Sequence, residues 1–107
     1  PLIARRFAAG RGWGERPNDP CVVDLACVGS LAVDGHSASV MIDYIEAAAD
    51  QGYWAVICIH GIGGQHISIS REAFAGVVDH LEAHPNRLWT ATLHDVAAYV
   101  LGHRPCI

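Results

Sequence analysis

Tyr53-Trp54-Ala55-Val56-Ile57-Cys58-Ile59-His60-Gly61-Ile62-Gly63-Gly64 is an apolar run that ends abruptly in a histidine and a glycine-rich turn. Tyr53 to Ile59 carry no charge and include β-branched types. Such a run is costly to leave in water and too short for a helix standing alone. A strand buried on both faces fits it best. Alternation puts Val56, Cys58 and His60 on one face and Ala55, Ile57 and Ile59 on the other. His60 is then the last residue of its face, delivered to a rim. Gly61, Gly63 and Gly64 follow at once, and they widen the accessible φ range and let other groups come close, as a ligand-facing loop requires.

The flanks of this strand repeat one pattern. Upstream, Leu25 to Val33 reads as a strand stopped by Asp34-Gly35. A helix then starts near Ser37 or Ser39, with Val40, Met41, Tyr44, Ile45 and Ala48 at helical spacing and Gly52 placed to end it. Downstream, Ser68 or Ser70 caps a second helix with the stripe Phe74, Val77, Val78 and Leu81, and His84-Pro85-Asn86 forces its exit. Leu88 to Ala91 reads as a short strand. Thr92-Leu93-His94-Asp95 has the Thr-x-x-acid spacing of a helix cap, and Val96, Tyr99 and Val100 form the inner stripe of a last helix. Leu2 to Ala9 resemble the tail of a helix, and Gly10 to Asp19, followed by Pro20, make a long loop.

The expected organisation is therefore one domain portion spanning residues 1–107, with a helix tail and long loop over 1–24 and three strand–helix units over 25–107. This is α/β architecture, parallel strands alternating with helices, in which ligands bind beyond the carboxyl ends of the strands. His60 and Gly61 to Gly64 lie at such an end. A closed barrel of this kind takes on the order of 200 residues or more, and the chain has 107. The expectation is a partial (β/α) barrel with open strand edges and an uncovered inner face. A missing amino-terminal half, or a second copy in a homo-oligomer, would cover them. The chain opens on Pro1 with no methionine before Met41, which fits a piece of something longer.

Bulk properties narrow the partners. A hydrophobic content of 51% is ample for a core, so disorder is excluded. The formal charge of −4 sets eleven acidic groups against seven arginines without any lysine. No basic stripe exists to hold a phosphate backbone, and nucleic acid is not the expected partner. No apolar run reaches the length that spans a bilayer, and Pro1 to Gly10 show no signal-peptide pattern. The four cysteines, Cys21, Cys27, Cys58 and Cys106, form no Cys-x-x-Cys pair, so neither a zinc knuckle nor a thioredoxin-like motif is available. Cys58 is expected to be buried and unreactive. A Cys21–Cys27 bridge is disfavoured, because both residues flank or enter a predicted strand.

His60 is the main candidate for chemistry, since imidazole exchanges protons near neutral pH and can act as general acid or base. The competing reading is a ring that bonds a loop carbonyl and otherwise packs. His80 and His84 share a helix face and the spacing of a metal grip, yet His80-Leu81-Glu82-Ala83-His84 lacks the glutamate that a zinc protease carries after its first histidine. A solvated face explains them. His66 reads as an exposed loop residue, and His36, His94 and His103 sit beside caps and termini. Gly61-Ile62-Gly63-Gly64-Gln65-His66 departs from the dinucleotide fingerprint at its sixth position, His66. Neither a Gly-x-Ser-x-Gly elbow nor a Gly-Lys-Ser/Thr phosphate loop is present.

Taken together, Trp54 to Gly64, Ser68 to Leu81 and Leu88 to Tyr99 resemble the carboxy-terminal part of a polysaccharide deacetylase, of carbohydrate esterase family four. The likeness rests on the strand ending His60-Gly61-Ile62-Gly63-Gly64, the serine-capped helix with Glu72 and Phe74, and the Trp89-bearing segment before the final helix. Arg11 to Gly14, Pro17-Asn18-Asp19-Pro20 and Val33-Asp34-Gly35-His36 extend it upstream. The resemblance implies a distorted seven-stranded barrel, of which about three β/α units are present. It also implies metal-dependent hydrolysis of N- or O-acetyl groups on a sugar polymer, with His60 as the acid for the leaving group. Val56, Cys58, Gly61, Ile62, Gly63 and Gly64 would then line the substrate pocket. The partner would be an acetylated polysaccharide or oligosaccharide, and a secreted or cell-envelope setting is compatible with the family, while the chain itself shows no address.

The departures are equally informative. The Thr-Phe-Asp-Asp motif that supplies the base and one ligand is absent, and so is the His-Ser/Thr-x-x-x-His segment that supplies two more. A zinc-like divalent metal is thus expected in the full-length enzyme, held by ligands outside this chain. The chain alone is expected to be inactive. Two alternatives stand beside this reading: a non-catalytic carbohydrate-binding or assembly module on the same scaffold, and an unrelated α/β domain whose Gly61 to Gly64 loop holds a phosphate.

Overall fold

In the computed structural model, which describes residues 2–12 and 14–104, six elements follow one another. They are α1 (Leu2–Arg6), β1 (Leu31–Val33), α2 (Ala38–Asp50), β2 (Ile57–Ile59), α3 (Arg71–Ala83) and α4 (Leu93–Gly102). β1 and β2 are parallel, with Leu31 opposite Ile57, Ala32 opposite Cys58 and Val33 opposite Ile59. α2 makes the crossover between them. The result is an α/β arrangement around a two-stranded parallel sheet, and the described residues form no barrel.

The caps show why the helices start where they do. Ser37 rather than Ser39 caps α2, its Oγ accepting from the Val40 amide at 3.3 Å. Ser70 rather than Ser68 caps α3, accepting from the Ala73 amide at 3.0 Å. Thr92 caps α4, accepting from the Asp95 amide at 3.1 Å. Each satisfies one backbone donor that the first turn would otherwise leave open. Gly52, at φ +70°, takes the left-handed turn that releases the chain from α2, a conformation costly for residues with a Cβ.

One core cluster lies between the sheet and the α2–α3 layer. It centres on Val33, Met41, Ile69, Ala73 and Val77, with Leu31, Ile57 and Ile59 contributed by the strands. The alternation read from the sequence therefore holds: Ile57 and Ile59 turn towards the helices. A Cβ on Gly76 would stand 2.8 Å from the Ala38 Cβ, so the bare glycine lets α3 close onto the start of α2.

A second cluster, Val23, Val28, Val96 and Val100, gathers the amino-terminal loops and α4, and Trp54, Val56 and Leu93 pack against it. Asn18, 2% exposed, is its polar centre. The Asn18 side chain accepts from the Gly29 amide at 2.8 Å and donates to the carbonyls of Gly29 and Trp54 at 3.0 and 3.1 Å. Its backbone exchanges a further pair of bonds with Trp54, at 2.7 and 2.8 Å. The long loop is thus pinned at both ends, by this pairing and by a bridge between Arg11 and Val28.

Several expectations are corrected here. Residues 25–27 are a turn and not the start of a strand, because Asp24 captures the Ala26 and Cys27 amides at 2.9 Å each, through its side chain and its carbonyl. Pairing with β2 begins only at Leu31. Leu88 to Ala91 form no strand: Leu88 is buried, but Trp89, Thr90 and Ala91 are exposed, so the alternating burial of a strand is missing. Between this segment and β2 lies an apolar cavity of 780 Å³, with Ile57, Ile59, Met41, Phe74 and Leu88 among its walls. Among the described residues from 25 to 104, two strand–helix units and a further helix are present, where three units were expected. Tyr99 does not join the inner stripe of α4, whose buried positions are Val96, Ala97 and Val100. Cys58 is half-buried rather than buried. Cys21 is disulfide-bonded, whereas Cys27 is a free thiol and so is not its partner. Among the described residues no helix is long and apolar enough to cross a membrane.

Candidate functional site at the carboxyl ends of the strands

Two parallel strands in register end together, and that brings two side chains of complementary chemistry to one edge. One step beyond the Val33–Ile59 pair stand Asp34 and His60. Val33 and Ile59 face the helices, so alternation puts Asp34 and His60 on the opposite side of the sheet, following Ala32 and Cys58. Ala32 is exposed, Cys58 half-buried and His60 exposed. The Cys58 Sγ lies 3.9 Å from His60 Nε2, which is the same-face contact that alternation requires. At this end the face is open, with Ala32 and His60 exposed, whereas lower down Val56 packs against α4.

The loop after β2 folds back on itself. The Gly63 amide donates to the Ile69 carbonyl at 2.8 Å and the Ile69 amide to the Gly61 carbonyl at 3.1 Å. Gly63 adopts φ +74° and Ile67 φ 45°. For Ile67 that left-handed conformation is a steric cost, which the surrounding bonds sustain. Ser68, next in the chain and buried, clips this loop to the turn after β1. Its amide donates to Asp34 Oδ1 at 3.3 Å, and its carbonyl accepts from the Gly35 amide at 2.8 Å. The Asp34 amide in turn donates to His36 Nδ1 at 2.9 Å.

Each expected site residue can now be placed. His60 stands at the rim, with Gly61 and Ile62 directly beyond it. Gly63 and Gly64 border a polar pocket of 450 Å³ together with Ser68, Ser70, Arg71 and Glu72. The Arg71 side chain packs over Gly63, its Nε 3.3 Å from where a Cβ would stand. Val56 lies lower, packed on the second core cluster, two residues down the strand from Cys58. Asp34 was legible only as a strand stop. Its place beside His60 depends on the register of two strands that are distant in sequence, and an acidic residue ending one strand is the signal that points to it.

The remaining histidines lie elsewhere. His80 and His84 sit on α3 with ring centroids 4.5 Å apart. His80 Nε2 meets Glu46 Oε2 at 3.0 Å, and Arg87 reaches the same carboxylate at 2.7 and 2.9 Å. Hydrogen bonds from Arg87 and then His80 hold the Glu46 carboxyl at about 2. This is an ion-paired clasp between α2 and α3. Burial, reinforced by Glu15, pushes the Tyr44 hydroxyl up. Among the described residues no three His, Cys, Asp or Glu side chains gather closely enough to hold a metal ion. The described residues at the rim therefore do not by themselves make a metal cage.

The chain was compared with protein-family models, with curated proteins and with solved structures, and it matches none of them.

Proposed function

We propose that this chain is the carboxy-terminal part of a metal-dependent polysaccharide deacetylase, contributing His60 as the proton donor to the leaving group. The observation that carries the reading is the placement at the rim. An exposed imidazole and an exposed carboxylate follow the ends of two parallel strands that are in register. An imidazole at this position can protonate a departing amine or alkoxide, and Asp34, anchored through Ser68, stands at the neighbouring strand end. The glycine loop leaves room for a sugar ring beside His60, and Cys58 gives the wall below it. The partial barrel belongs to the same proposal: the exposed upper part of the sheet face and the edge of β2 are the surfaces that further strands would cover.

Acetate release from acetylated chitooligosaccharide or xylan tests this reading. The chain alone should release none. Expressed together with the coding sequence that precedes Pro1, it should be active, and His60→Ala should lower kcat by about 10²- to 10⁴-fold, the usual contribution of a positioned acid. Metal-dependent turnover by the chain alone would overturn the division of labour. Full activity of the His60→Ala variant would overturn the role of His60.

A further inference from the structure

β2 has a ladder partner on one edge only. The Leu31 amide, on the residue opposite Ile57, donates to the Val56 carbonyl at 2.8 Å. In a parallel ladder this register commits the backbone groups of Val56, Cys58 and His60 to β1 and turns those of Ile57 and Ile59 to the other edge. Among the described residues neither backbone finds a partner on that side. Both residues are half-buried and line the 780 Å³ cavity. Two amide donors and two carbonyl acceptors thus border a gap with mostly apolar walls, where unpaired backbone groups are costly.

The walls define the occupant. The volume lies within the roughly 300–1,000 Å³ of ligand sites. α2 and α3 contribute Ile45, Phe74 and Leu81, whereas Val56 and Leu93 belong to the second core cluster. An extended chain alternates its side chains between two faces, so both sets would meet apolar neighbours here. Arg87 is the one charged residue on the walls among the described residues, and Glu46 holds both ends of its guanidinium, at 2.7 and 2.9 Å. A charged ligand would lose its water without gaining a counter-ion. A hydrocarbon would fill the space and leave the Ile57 and Ile59 backbones unbonded. An uncharged peptide strand supplies alternating donors and acceptors together with apolar side chains, as in strand addition to an open sheet edge. The chain's own residues 88–91 stand across the cavity, with Trp89, Thr90 and Ala91 exposed, and do not pair with β2.

We propose that the gap between β2 and residues 88–91 is a binding slot for an extended, uncharged peptide segment of a partner chain, about five residues long as strands usually are. The peptide pairs with the outward backbone groups of Ile57 and Ile59 and buries its side chains on both faces. The slot shares no residue with the rim around His60 and stands whether or not that rim is hydrolytic.

Titration of the chain with the blocked peptide acetyl-Thr-Val-Ala-Val-Thr-amide, followed by NMR, tests it. Saturable shifts are expected at the Trp54 and Trp89 indole N–H groups, which border the cavity, together with slowed hydrogen exchange at the Ile57 and Ile59 amides. Two versions of the peptide, N-methylated on alternate residues, separate backbone pairing from side-chain contact. One should bind about tenfold more weakly, because its N–H bonds to β2 are gone, and the other should bind as the unmethylated peptide does. Val78→Phe and Ala49→Leu each enlarge a side chain on the cavity wall and should weaken binding about tenfold by occupying the slot. Circular dichroism reports whether each variant folds, and either one alone suffices for the comparison. No shift at millimolar peptide, equal binding of the two N-methylated versions, or unchanged affinity in the folded variants would overturn the proposal. Tighter binding of dodecanol than of the peptide would overturn it in favour of a hydrocarbon site. Protection of the Ile57 and Ile59 amides without peptide would overturn it as well, assigning the slot to residues 88–91 or, if the protection rises with protein concentration, to a second copy.

Discussion

Around Met41, capped helices close over a two-stranded sheet, whereas around Asn18 three irregular segments are joined through one amide side chain. The first region is held by apolar burial on periodic elements and the second by polar bonds between residues far apart in the chain. Both reach the same near-complete exclusion of water, with Met41 at 1% and Asn18 at 2% exposure. Burying an amide is tolerable only because each of its groups is bonded. A buried thioether needs only neighbours of the right shape. The two regions should therefore fail differently when truncated.

The largest effect is expected at Met41. Met41→Ala should cost about 4 kcal/mol, the sum of lost transfer energy and a residual cavity, as measured by urea denaturation. The apolar cavity beside β2 adjoins the site, so little of the gap can be refilled. A loss under about 1 kcal/mol would show that this core is already loose. Asn18→Ala should cost about 3 kcal/mol, because it strands the Gly29 amide and two carbonyls in a dry setting. Hydrogen exchange should then quicken at Gly29 and leave α2 and α3 protected. Equal loosening of both regions would mean that they are one cooperative unit.

The smallest effect concerns the clasp on Glu46. Its folded carboxyl sits at about 2 against an ordinary 4.5, so the folded state binds this proton less readily than the unfolded chain does. The stabilisation is accordingly complete above about 4.5 and lost as pH falls through about 2. Parent and Glu46→Gln should differ in denaturation midpoint at neutral pH and converge in acid. Salt should shrink the difference, because the pair is on the surface. A gap unchanged between those limits would assign the effect to helix packing instead.

The contrast also explains what the sequence could disclose. The helices around Met41 were legible, because hydroxyl caps and apolar stripes act over three or four residues. The strand before His60 was legible in part: its alternation holds, but only Ile57–Ile59 are strand, and all three are half-buried rather than buried on both faces. Asn18 was visible only as a loop residue, since its partners Gly29 and Trp54 lie eleven and thirty-six positions away. Leu88 to Ala91 misled because its apolar composition suits a strand, while the pairing edge that would make it one lies across a cavity. Tyr99 misled for a related reason: helical spacing identifies a stripe but not its width, and Ala97 took the inner place. At the site, His60 could be read locally, whereas Asp34 required the register between strands.

Ser68 couples the two rim turns mechanically. Lifting residues 61–69 from the sheet must break the bonds to Asp34 and to Gly35 together, so the rim opens as one hinged flap or stays shut. Gln65 and His66, both exposed, form the tip between these anchors, and loop motion on the nanosecond scale is expected to concentrate there.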